Sequence, residues 1–76
     1  MNEKLLRIFT NTLGVQASET RDEMSMANTP GWDSVAHLNL VLSIEKEFGL
    51  QLSPEDFMRM QSVGAIKSVL VERGVA

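Results

Sequence analysis

The chain contains no cysteine. Disulfide stapling and thiolate metal sites are therefore excluded, and any chemistry that needs a thiol must borrow one. A single histidine, His37, rules out a multi-histidine metal site. Basic residues are scarce: seven Lys and Arg stand against ten Asp and Glu, for a net charge of −3 and an isoelectric point near 4.9. Such a surface repels phosphate backbones, so nucleic acid is not an expected partner. It favours proteins with basic patches instead. No apolar run reaches the roughly 18 residues of a membrane span. The opening Met1-Asn2-Glu3-Lys4 lacks the charged-then-apolar layout of a signal peptide, so the expected compartment is the cytoplasm. Convincing strand alternation, internal repeats and low-complexity tracts are also missing.

What remains points to one small helical domain. With 76 residues there is room for a single domain, 1–76, with a modest core and no deep preformed chamber. An apolar content of 43% is that of a folded chain. Residues 3–14 read as a helix, with Leu5, Leu6, Ile8, Phe9 and Leu13 on one arc at about 100° per residue. Glu3, Lys4, Arg7 and Asn11 lie opposite, and Gly14 is the stop signal. Residues 15–32 are poor in apolar residues and end in the turn signal Asn28-Thr29-Pro30-Gly31. So long a connection is functional or conceals a short helix. Asp33 is placed to cap a second helix over 34–48, ended by Gly49. Ser53-Pro54-Glu55-Asp56 opens a short third helix, about 54–61, with cap, first-position proline and first-turn acids in order. Ser62 caps a fourth over about 63–73, with Val63, Ile66, Val69 and Leu70 on one face. The fold class is all-α, a small four-helix bundle with three main helices, a short third one and a long first loop.

The second helix carries more apolar surface than one stripe requires. Leu40, Val41, Ile44 and Phe48 form one face. Val35, Leu38 and Leu42 form another, rotated by well over 100°. A central helix buried on both sides explains this pattern, and so does a second face left open as a docking patch.

Gly31-Trp32-Asp33-Ser34-Val35 leads into Ala36-His37-Leu38-Asn39-Leu40-Val41-Leu42-Ser43-Ile44 and then Glu45-Lys46-Glu47-Phe48-Gly49. This stretch resembles the acyl carrier protein family, whose second helix begins at an Asp-Ser-Leu motif and ends in acids, Phe and a small residue. Asp33-Ser34-Val35 has Val in place of Leu, and the long first loop and short third helix also sit where the family places them. The resemblance implies that Ser34 is esterified by 4′-phosphopantetheine, taken from coenzyme A by a separate phosphopantetheinyl transferase. The arm's thiol then holds acyl cargo as a thioester. Asp33 becomes the helix cap beside the attachment site. Val35, Leu38, Asn39, Leu42, Glu45 and Lys46 become the surface met by acyl-transferring or acyl-modifying enzymes. The implied protein is a monomeric, non-catalytic carrier. Ala36, Asn39 and Lys46 stand where the family often has acids, so a specialised pathway fits at least as well as housekeeping fatty acid synthesis.

The residues themselves leave other readings open. Ser34 is a polar residue near a helix start, where serine is common for capping alone. Asp33, Ser34 and His37 invite a hydrolase triad, but they lie within about one helical turn and no Gly-x-Ser-x-Gly elbow is present. An unmodified interaction module would use Leu38 and Leu42 directly. A peptidyl carrier usually has a Gly pair before the motif, which Gly31-Trp32-Asp33-Ser34 lacks. Trp32 is placed either to pack over the second helix or to meet partners. His37 falls on the inward face as a packed or hydrogen-bonded residue. Met24, Met26, Met58 and Met60 are mostly gap-fillers, with a deformable cavity for an acyl chain as the other use for some of them.

Overall fold

A computed structural model describes residues 2–75. Met1, first of the four residues weighed against a signal peptide, and Ala76, the end of the expected domain, lie outside the described residues. Among those described there are four α-helices and no strand: α1 (Glu3–Leu13), α2 (Ser34–Phe48), α3 (Pro54–Arg59) and α4 (Val63–Glu72). Each helix starts where its sequence provides an acceptor. Asn2 receives the Lys4 N–H, Asp33 that of Ala36, Ser53 that of Asp56 and Ser62 that of Ala65. These caps satisfy donors that a helix start leaves orphaned. α2 ends at Gly49, whose φ of 66° lies in the left-handed region open to glycine at little cost.

The core forms where the apolar stripes of α1, α2 and α4 converge. Leu5 and Phe9 meet Leu40 and Ile44, and Ile66, Val69 and Leu70 close the space from α4. Val63 joins them, so the four-residue face expected on the last helix is buried as a unit. The long first connection conceals one turn of 3₁₀ helix, Ala17–Glu19. Its second half is held by backbone pairing with the α3–α4 junction. Met26 N–H donates to Gln61 O at 3.1 Å and Val63 N–H to Met24 O at 2.9 Å, beside an isolated antiparallel bridge between Ser25 and Ser62.

That pairing explains one departure from expectation. α3 ends at Arg59 rather than near 61. The backbone turns out of the helix at Met60, whose side chain is fully buried. Gln61 and Ser62 then present their backbone to the first loop instead of to another helical turn.

A six-residue helix is not stable alone, and α3 is fastened by charge as well as by packing. Arg59 reaches Glu72 on α4 at 2.6 Å, and Arg73, just past α4, pairs with the buried Asp56. The Asp56 carboxyl is held below its ordinary value of 3.8. The main cause is the hydrogen bond from the Ser53 N–H; burial opposes it, and the Ser53 side chain and Arg73 reinforce it. As pH falls, the unfolded chain binds this proton before the folded one does. The stabilisation is therefore complete above 3.8 and is lost progressively as pH drops below that value. Urea unfolding followed across this window is expected to show a steeper decline for the wild type than for Asp56→Asn. Glu72, lowered by its hydrogen bond to Arg59, keeps its own acid dependence in both proteins.

Candidate functional site

The site begins with a division of labour at the start of α2. Asp33, in extended conformation, supplies the cap: its Oδ1 accepts the Ala36 N–H at 2.9 Å. Ser34 is the first helical residue and is exposed. The cap is thus complete without the Ser34 hydroxyl. The turn delivering Ser34 depends on Gly31, whose φ of 90° strains any residue with a side chain, and on a Trp32 N–H bond to Thr29 O at 3.1 Å. A substituent on the hydroxyl would lie at the positive end of the α2 dipole, near first-turn N–H groups without helical partners. This environment suits an anionic phosphodiester.

Trp32 is buried at 2% exposure and His37 at 1%. Trp32 packs its ring at 6.2 Å from Phe9 of α1, so of its two readings the structure shows packing. Its indole N–H donates to His37 Nδ1 at 3.0 Å. Because an indole N–H only donates, Nδ1 must be the acceptor and the ring proton sits on Nε2. From there it donates to the carbonyl of Phe57, also at 3.0 Å. That carbonyl is among the last four of α3, which a helix cannot satisfy internally. With both ring nitrogens committed inward, the Asp33-Ser34-His37 triad is not assembled.

The second apolar face of α2 is open. Val35 is 69% exposed, Leu38 49% and Leu42 51%, whereas Leu40, Val41 and Ile44 are buried. Asn39 and Lys46 are exposed along the same helix. Glu45 is half-buried, and its Oε2 accepts the Leu52 N–H at 2.8 Å, bracing the α2–α3 loop with one oxygen. Glu47 turns elsewhere: with Lys4, Arg7, Ile8 and Asn11 it borders a separate hollow of about 290 Å³.

Leu38 and Leu42 form one wall of an open groove of about 400 Å³, faced by Leu52, Pro54, Phe57 and Met58. The α3 wall was missed by sequence reasoning, which left Met58 between gap-filler and lining of a deformable acyl cavity; it is 65% exposed. A signal existed. Phe57, Met58 and Met60 give a six-residue helix and its cap more apolar bulk than one narrow face can bury.

The start of α2 thus sets an exposed hydroxyl at a helix mouth, beside an apolar groove. Residues 3–70 match the family model described as "Phosphopantetheine attachment site", and the chain belongs to this family of phosphopantetheine-dependent carriers. It is 34% identical over 61 residues to an acyl carrier protein of Solidesulfovibrio magneticus, covering 80% of this chain and 78% of the other. It is 32% identical over 63 residues to an acyl carrier protein of Nitratidesulfovibrio vulgaris strain Miyazaki F, covering 83% of each. The cofactor of the family is 4′-phosphopantetheine, and the exposed first turn of α2 offers it a hydroxyl and an anion-compatible setting. Among the described residues no helix is long and apolar enough to cross a membrane.

Proposed function

We propose that this protein carries acyl intermediates as thioesters on a phosphopantetheine arm at Ser34 and presents them in turn to partner enzymes. The observation that carries this reading is the exposed Ser34 at the first position of α2, with Asp33 as the cap. In loading, the Ser34 oxygen forms a bond to the pantetheine-side phosphorus of coenzyme A. The diphosphate P–O bond breaks, 3′,5′-ADP leaves, and the hydroxyl proton passes to a base of the transferase. The bound arm supplies the thiol this cysteine-free chain lacks, and tethering gives its cargo a high local concentration at each enzyme visited.

The chain itself does no chemistry in this scheme. α2 presents the arm, and Val35, Leu38, Asn39, Leu42, Glu45 and Lys46 form the surface on which partners dock. The groove adds Met58 to that surface. Working as a monomer in the cytoplasm, the carrier docks weakly, so that cargo moves on. The departure of Asn39 and Lys46 from acidic residues favours a specialised acyl pathway as its setting.

The test is the intact mass of the protein purified from its native cell, before and after hydroxylamine. The expected result is a covalent adduct of which hydroxylamine removes only the cargo, leaving the arm. An aminoacyl mass would replace acyl carriage with aminoacyl carriage. An unmodified mass in every preparation would contradict carriage of either kind.

A further inference from the structure

Buried His37 is not used by the carrier scheme, yet through its ring it joins the turn before the proposed attachment residue to α3. Its backbone N–H donates to Asp33 O at 2.8 Å, its Nδ1 receives the Trp32 indole N–H, and its Nε2–H holds the Phe57 carbonyl. The bond to Asp33 is the first helical bond of α2, which any residue at 37 makes; the bond to Trp32 depends on the imidazole. The third bond ties the same ring to α3, where Phe57 lines the groove and stacks edge-on against the imidazole at 4.6 Å. A Leu or Phe at position 37 would fill the space. Only a side chain that accepts on one side and donates on the other couples the turn before Ser34 to the α3 wall.

We propose that His37 is a positioning residue for the loading of Ser34. The inference rests on the reading of Ser34 as the attachment residue. Through Trp32 the imidazole fixes the turn that aims the hydroxyl. Through Phe57 it sets the α3 wall in register with that turn, so that a transferase seated on the groove finds the oxygen in one place. Displacement of a reacting atom by about 1 Å is enough to cost a reaction on the order of a hundredfold, and a turn released from His37 has that freedom.

The experiment measures steady-state loading from coenzyme A by one broad-specificity phosphopantetheinyl transferase, for the full chain and for His37→Phe, His37→Gln and Trp32→Phe. His37→Phe keeps the ring volume and loses both side-chain bonds. His37→Gln offers an acceptor oxygen and a donor N–H. Trp32→Phe keeps one aromatic ring and loses the indole N–H together with part of the buried ring volume, so its rate is read against its thermal stability. His37→Phe and Trp32→Phe are expected to load about tenfold more slowly or worse, with the loss in kcat, KM little changed and helical circular dichroism retained. His37→Gln is expected to recover most of the rate. Should His37→Phe not fold, Trp32→Phe alone decides the matter by the same rate comparison. Loading of the folded variants at the wild-type rate overturns the role of His37 while leaving Ser34 in place, as does a loss that merely follows thermal stability with Gln no better than Phe. Failure of the wild type itself to load overturns the Ser34 reading and this inference with it.

Discussion

Ser34→Ala is expected to abolish phosphopantetheine loading completely while leaving the fold and its stability almost unchanged. The first half follows from chemistry, because alanine has no oxygen to form the phosphoester. The second half follows from the cap. Asp33, not Ser34, accepts the first-turn N–H, and Ser34 is exposed, so no core contact is lost. Alanine is also the better helix former, by roughly 0.5 kcal/mol. Thermal unfolding of the variant should match or slightly exceed that of the wild type, and intact mass after incubation with coenzyme A and a transferase should show no adduct. An adduct of unchanged yield on Ser34→Ala would place the arm elsewhere. A large loss of stability would mean that the serine serves the helix rather than the cofactor.

Leu38→Asp is expected to produce the second largest effect, on partners rather than on loading chemistry. Leu38 is half exposed in the free protein and forms a wall of the α2–α3 groove. A partner that seats there buries the rest of it. An aspartate leaves that contact unmade and forces an unpaired carboxylate to be desolvated on docking, at a combined cost of about 3 kcal/mol. That is more than a hundredfold in affinity. Acyl transfer from the loaded carrier to a cognate enzyme should fall by that order at sub-saturating concentration, with helical circular dichroism intact. Ile44→Ala, six residues along on the buried face, supplies the contrast. It should cost about 2–5 kcal/mol of fold stability and lower partner affinity only through unfolding. Global unfolding of Leu38→Asp would instead show Leu38 to be core.

How far the sequence reached varies with the physics of each part. The helices were legible because their ends are set by local chemistry: Asp33, Ser53 and Ser62 cap, and Gly49 terminates, within a few residues of where they act. The buried faces of α1 and α4 were legible from 3.6-residue periodicity. The two faces of α2 were visible as a surplus, but no local signal says which is covered, because that depends on where α1 and α4 fall in space. The same limit hid the early end of α3. It is set by backbone pairing of Gln61 and Ser62 with a loop some 35 residues earlier in the chain and by burial of Met60. His37 could be placed on the inward face, but its bond to Phe57 joins residues 20 apart and leaves no mark in periodicity. The exposed placement of Ser34 at the start of α2 was legible for the opposite reason. Its setting is made by its immediate neighbours, Gly31, Trp32 and Asp33, all of which a reader of the sequence can see.

Attachment at position 34 is tested most directly by peptide-fragment mass spectrometry of the wild-type protein after incubation with coenzyme A and a broad-specificity transferase. The chain offers seven serines: Ser18, Ser25, Ser34, Ser43, Ser53, Ser62 and Ser68. Fragment ions that bracket a single phosphopantetheine between Asp33 and Val35 are the predicted result. An arm on any of the other six, or an unmodified chain after several transferases, would contradict it.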